Sequence, residues 1–505
     1  MQRLSLRKQL PLDRVAKSLM AGLVAAGFAL VALGDHATAR VQEFSWQAHT
    51  VGAENTAFVI TFSRPMDPQS VEANLTVVPE LPGRISWAGR RMAYTLDIPI
   101  PYGETFELAL PEARDRFSTE SQEAPFEAFT GTFQSRDRAM AYIGTQGEET
   151  GRLVWVNFSQ GGDPVILTPP ELTVLDFETY PLSDRLLFSA VETAATTGTL
   201  TPALYTVTTG VTPNPPKDLQ GVSQPFSIAP GEAGALTPVL DNETYQNLAF
   251  DLSPDGRVIV VQRVNQSDPE DFGPWVLREG EDPHPLETEP GGEFLIGPDS
   301  QTLLMLQGQG TAVIPLEMET DAERTSSEPL DFLPEFGRVF DISRDGSEAA
   351  MVDFNQNDPE RRFTETLVVV SNQGDEQELL TVTGAILNAQ FDPTARIVYV
   401  LASELLPGEA YQEQPFLAAI NLETQEPLRL LSLPPQARAA MSLSPDGLAA
   451  LLEVTVPSAD NPNVFSVQTV LLPLFTTTEE RLTGTPTQTE PQVLPYSGLL
   501  PTWLP

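Results

Sequence analysis

Sixty-nine aspartates and glutamates against 29 lysines and arginines make carboxylate chemistry the first to weigh in this chain of 505 residues. Two carboxyl groups facing one another across a bound sugar can hydrolyse or eliminate a glycosidic bond, one giving a proton while the other acts as base or nucleophile. Abundance weakens any single pair, because so many acids bring some together by chance. Carboxylates gathered in one loop can also hold calcium. Asp268, Glu270 and Asp271 are the calcium candidates, although their spacing is not that of an EF-hand and an Asp-Pro turn needs no metal.

Nucleophilic hydrolysis has less to work with. The chain holds His36, His49 and His284 as its only imidazoles and no cysteine, so thiolate catalysis is excluded and a serine nucleophile has few bases to pair with. No Gly-x-Ser-x-Gly elbow joins a strand to a helix, and no segment following the repeats described below is expected to form an α/β-hydrolase domain. His284, in Asp282-Pro283-His284-Pro285, reads as a surface turn. Neither a Gly-rich phosphate loop nor a zinc-type spacing is present. The net charge of −40 repels phosphate backbones and anionic headgroups, so nucleic acid is not an expected partner.

The elements that must position any site are written as a recurring turn. Leu252-Ser253-Pro254-Asp255-Gly256, Ile342-Ser343-Arg344-Asp345-Gly346 and Leu443-Ser444-Pro445-Asp446-Gly447 are three copies. Ile296-Gly297-Pro298-Asp299 and Phe391-Asp392-Pro393-Thr394 fall between them. The repeat of roughly 45 to 50 residues is that of a β-propeller blade. Proline presets the first corner, aspartate bonds back to the turn, and glycine takes the positive φ.

Seven units are expected from Ala139 onward, with second strands at Ala139 to Ile143, Leu186 to Ala190, Val258 to Gln262, Leu303 to Leu306, Ala349 to Asp353, Ile397 to Leu401 and Leu448 to Val454. The first unit lacks an inner strand, and the tail ending Leu499-Leu500-Pro501-Thr502-Trp503 is expected to supply it and close the ring. If the Leu303 unit is an insertion, six blades remain. The turn signatures and Glu480-Arg481-Leu482-Thr483 resemble the TolB-type, WD40-like propeller repeats of the bacterial envelope. The N-terminal domain of TolB is absent, so that family's partners do not carry over.

Between Val41 and Arg136 short strands alternate without the blade turn, as in a small sandwich. Strands are expected at Thr56 to Phe62, Asn74 to Val78, Arg84 to Trp87, Met92 to Asp97, Thr105 to Leu110 and Phe126 to Phe133. Phe62-Ser63-Arg64-Pro65-Met66-Asp67, with Trp87-Ala88-Gly89 and Tyr102-Gly103-Glu104-Thr105-Phe106, resembles the bacterial Ig-like domain first described in S-layer proteins. That family's usual closing loop is replaced here by Ala113-Arg114-Asp115-Arg116-Phe117-Ser118.

Ahead of it, Arg3, Arg7, Lys8, Arg14 and Lys17 precede an apolar run from Leu19 to Leu33 and then Ala37-Thr38-Ala39. This reads as an export signal, either cleaved or retained as an inner-membrane anchor, delivering the rest outside the cytoplasm.

The expected molecule is therefore mainly β: residues 1–39 a signal or anchor helix, 41–136 an Ig-like sandwich, and 139–505 a propeller. By analogy with both resemblances its expected role is noncatalytic, a platform for envelope protein or polysaccharide without a cofactor. The alternatives are a glycan hydrolase or lyase using carboxylates in the channel, and a small-ligand sensor. Loops between second and third strands form the expected binding face, through Asn265, Asp268, Asn355, Asp358, Asp460 and Asn461.

Overall fold

Strict alternation of apolar and polar residues, as in Ala57–Phe62, buries every second side chain and commits most of the chain to strands. The computed structural model describes residues 15–25, 38–116, 126–193, 201–217, 231–308, 310–316, 331–333, 336–408, 411–436, 438–457 and 465–505. Residues 15–25 are helical, and no helix among the described residues is long and apolar enough to cross a membrane. Most of the apolar run to Leu33, with His36, Phe117 and Ser118, lies outside the described residues.

Two four-stranded sheets come first. One has the order Val41–Phe44, Ala57–Phe62, Arg91–Leu96, Gly83–Ala88, and the other Thr50–Val51, Phe129–Ser135, Thr105–Leu110, Thr76–Val78. They share one core in which Phe44, Trp46, Phe58, Phe62, Phe106 and Phe133 pack, with Phe44 and Trp46 edge-on to Phe58 and Phe133. The strand expected from Asn74 begins later, because Pro68–Asn74 is a helix. Asp67 caps it, its Oδ1 accepting from the Gln69 amide at 3.3 Å, and Pro68 supplies the first turn.

From residue 139 the architecture is that of a β-propeller. Seven four-stranded antiparallel sheets succeed one another among the described residues. Their second strands match the expected segments, and Leu303 lies in the second strand of a sheet built like its neighbours. The tail strand Gly498–Trp503 pairs with Ala139–Gly144 and fills the innermost place of the first sheet. Leu504 donates its amide to the Ala139 carbonyl at 2.9 Å, and Trp503 is buried between Ala449, Leu451 and Met140. Apolar cores fill the spaces between successive sheets: Phe188 and Leu172 between first and second, Leu187 and Val261 between second and third, Val400 and Val369 between fifth and sixth.

The turns behave as expected and add a residue. Gly256, Gly346 and Gly447 take φ of 74°, 71° and 71°. Asp255, Asp345 and Asp446 each accept from the hydroxyl of the turn serine. Those serines, Ser253, Ser343 and Ser444, are buried and accept the amides that open the next strand, Val258 to Ser253 Oγ at 2.9 Å for example. In the weaker copy Asp392 does the serine's work, accepting from Arg396 and Ile397.

Candidate functional site in the channel lumen

In five of the seven sheets the inner strand carries a polar residue at one place, two before the residue that opens its turn. Those residues are Glu178, Asp251, Asp341, Gln390 and Ser442 in the second, third, fifth, sixth and seventh sheets. Four of them reach across to the next inner strand. Asp251 Oδ2 accepts the Ile296 amide at 2.6 Å, Asp341 Oδ2 that of Phe391 at 2.8 Å, Gln390 Oε1 that of Leu443 at 2.8 Å, and Ser442 Oγ that of Trp503 at 3.0 Å. Glu178 stands at the same position in the second sheet. With Asp176 two residues earlier on the same strand, it lies on the strand's exposed side, while Phe177 between them is buried.

Enclosure and mutual repulsion set the protonation of this cluster. Poor solvation pushes the Glu178 carboxyl well above the usual range, and the neighbouring charges of Asp251 and Asp176 push it further. Asp251 is raised by enclosure and pulled partly back by the Ile296 and Leu252 amides. Enclosure raises Asp341 to about 7 despite its bonds from Phe391 and Ile342. Asp176 is raised less, because the Phe177 amide and the Arg438 guanidinium favour its anion. Arg438 is 3.5 Å from Glu453, whose Oε2 accepts the Leu500 amide of the closing strand at 2.8 Å. Both carboxyls are thus raised, Glu178 the more strongly, and such a separation of two neighbouring acids is the kind that acid and base catalysis uses.

The loops singled out from sequence lie on the face where inner strands begin. Asp271 accepts from the Tyr245 hydroxyl at 2.6 Å and from Asn265 Nδ2 at 3.0 Å, which holds it below the usual carboxylate range. Asp268 accepts the Glu270 amide in a local turn. Among the described residues no three histidine, aspartate or glutamate side chains gather to hold a metal. Asn355 is buried, with φ 51° and Nδ2 bonded to Thr364 and Thr366, so it stiffens its loop. Asp358 accepts the Glu360 amide. Asp460 and Asn461 lie outside the described residues. His284 sits exposed in an outer strand instead of a turn, and His49 Nδ1 is 3.3 Å from Asn214 Oδ1.

On the opposite face, where the Ser-Pro-Asp-Gly turns cluster, the paired N-terminal sheets dock. Between them and the turns of the second to fifth sheets lies a cavity of about 1770 Å³ lined by Trp46, Arg136, Arg185, Arg257 and Arg344 among others.

No known family profile matches the chain, and no curated protein does. Solved structures do. A putative 6-phosphogluconolactonase from Bacteroides uniformis is 12% identical, covering 73% of this chain and 99% of its own, with a TM-score of 0.40. An oligogalacturonate lyase from Vibrio parahaemolyticus is 11% identical over 67% of this chain and 91% of its own, with a TM-score of 0.41. Prolyl endopeptidases are 13% identical over 93% of this chain and 61% of theirs, with a TM-score of 0.35. At such identities the likeness is one of fold. Against the expectation of a noncatalytic protein, these similar structures bear the names of enzymes. Sequence reasoning missed Asp176, Glu178, Asp251 and Asp341 because a lumen site takes its residues one strand at a time and leaves no linear motif. Aligning the turn copies reveals them, since Asp251 and Asp341 hold the same place before Ser253 and Ser343.

Proposed function

We propose that this chain is a glycan-cleaving enzyme, a hydrolase or lyase, whose acid and base are carboxylates in the propeller lumen. The observation that carries it is the placement of two acids two residues apart on one inner strand, Glu178 raised well above its ordinary range by desolvation and Asp176 raised less because the Phe177 amide and Arg438 oppose its desolvation. Glu178 would protonate the departing glycosidic oxygen. Asp176 would take a proton from water or from the sugar, or attack the anomeric carbon. Asp251 adds its charge to the desolvation that raises Glu178, while its own bonds to Ile296 and Leu252 clasp two blades together.

Around this site we read a seven-bladed ring spanning 139–505 and closed by the C-terminal strand, the inner strands arranged in succession about one axis. The sheets of 41–136 are read as the Ig-like module of the S-layer type, a spacer next to the membrane. The basic and apolar N-terminal segment supports export to the periplasm or cell surface.

The test is product release from a panel of polysaccharides, read as new reducing ends for hydrolysis and as absorbance of an unsaturated sugar for elimination. E178Q and D176N should each lower turnover by about 10² to 10⁴ with an unchanged circular dichroism spectrum. Turnover by both variants at the native rate would remove the lumen carboxylates from the chemistry.

A further inference from the structure

All five aromatic side chains that are largely exposed among the described residues stand on one face. Phe272, Phe354, Phe363, Tyr411 and Phe465 are 36%, 40%, 86%, 80% and 64% exposed. Each lies where a second strand gives way to a third, in the third, fifth, sixth and seventh sheets. Scattered singly, such residues would need no explanation; confined to one rim, they do. This rim is the mouth of the lumen opposite the one across which the N-terminal sheets lie.

We propose that this face binds a polysaccharide built from neutral or amine-bearing sugars, a hexosamine polymer, laid across the aromatic rings toward the lumen. Four of the five rings have polar neighbours in their own loops. Asp268 and Glu270 stand in the loop before Phe272, Gln356, Asp358 and Glu360 between Phe354 and Phe363, and Gln412 and Glu413 beside Tyr411. A lipid surface or an apolar protein face would need a continuous patch. Flat rings alternating with carboxylates and amides match a pyranose, which is apolar on its faces and edged with hydroxyl or ammonium groups. A net charge of −40 repels polyuronates and attracts ammonium groups. The fifth-sheet loop itself holds two cations, Arg361, engaged by Glu378 at 3.0 Å, and Arg362, whose guanidinium lies 5.9 Å from the centre of the Phe363 ring, and Asp358 and Glu360 of the same loop match them in charge.

The inference deepens the lumen reading by naming the polymer, which narrows that reading to hydrolysis because a hexosamine has no carboxyl group to acidify the proton an elimination removes, and it rests on that reading only for the cleavage of the captured chain. The full-length protein is mixed with insoluble chitin, with chitosan beads, with cross-linked polygalacturonate and with phosphatidylcholine vesicles, and depletion from solution is measured. Binding to chitin and chitosan is expected, with chitosan binding weakened more by 0.5 M salt. F363A/Y411A should raise the Kd at least tenfold on both polymers (about 1.4 kcal/mol), and F465A several-fold. V493A, an exposed apolar residue on an outermost strand, should bind as the native chain does. E178Q should retain full binding, so that a failure of the lumen chemistry is told apart from a failure of this face. No binding to either hexosamine polymer overturns the proposal. So does equal binding to polygalacturonate, binding to vesicles alone, or native affinity in F363A/Y411A.

Discussion

Asp341 shows how one lumen carboxylate can serve the ring and oppose it at once. Its two oxygens accept the amides of Ile342 and Phe391 and thereby fasten the fifth inner strand to the sixth. Enclosure meanwhile raises its folded pKa to about 7 from an ordinary value of 3.8. Between those values the folded state holds a proton that the unfolded chain has lost, so stability is highest on the acid side and falls as pH rises from about 4 to about 7. Glu178 and Asp251 are raised in the same direction and add to the slope. The melting temperature should therefore decline between pH 5 and pH 8, and D341N should shallow that decline by removing one titrating group. Equal slopes for D341N and the native chain would show that Asp341 is ionised throughout. What hid this residue in the sequence was its company: among 69 acids, one Asp before a turn serine has no local mark. Its value lies in a bond to a strand 50 residues away.

Elements were far more legible, because each carries its own physics. Strands announced themselves through alternation, and the turns through residues that fix their dihedral angles. Two short helices did not. Thr478–Thr483 is opened by a capping box in which Thr477 and Glu480 satisfy each other's amides. Its Thr-x-x-Glu spacing was present, but the surrounding prolines and threonines read as loop. Packing between turns was invisible as well. A Cβ on Gly447 would come within 3.0 Å of Pro393 in the preceding blade's turn, and one on Gly256 within 2.9 Å of Pro181. Glycine is thus required twice over, for its positive φ and for the approach of the neighbouring turn. G447A should lower stability by about 1–3 kcal/mol, measured by urea unfolding, whereas alanine at Gly374, φ 83° with open space around it, should cost only the backbone term of about 1 kcal/mol. Equal losses at the two sites would mean the Pro393 contact relaxes freely.

At the scale of the whole molecule, the N-terminal sheets lie across one end of the ring and are held there by polar contacts to separated turns. Arg344 donates to the Ala53 carbonyl at 2.8 Å, the Tyr102 amide to Asp446 Oδ2 at 3.0 Å, and Arg481 to the Pro99 carbonyl at 3.0 Å. The buried Arg136 pairs with Glu54 and donates to the Pro181 carbonyl at 2.8 Å. Burial pushes the Tyr102 hydroxyl beside it up to about 12, so it stays neutral and accepts the Ala53 amide. Because these bonds reach the turns of the second, fifth and seventh sheets, tilting the cap breaks several together, and the two bodies should unfold in one calorimetric transition. Removing a partner of a fully buried pair costs about 3–5 kcal/mol. Glu54 is 37% exposed, so water can take over part of its solvation and the loss for R136M should be nearer 2 kcal/mol. R136M/R344A removes the contacts to two turns at once and should split the transition in two, the sheets of 41–136 melting apart from the ring. If the double variant still melts as one, the coupling resides in the remaining contacts at Asp446 and Arg481, and the cap is held from the side of the seventh sheet.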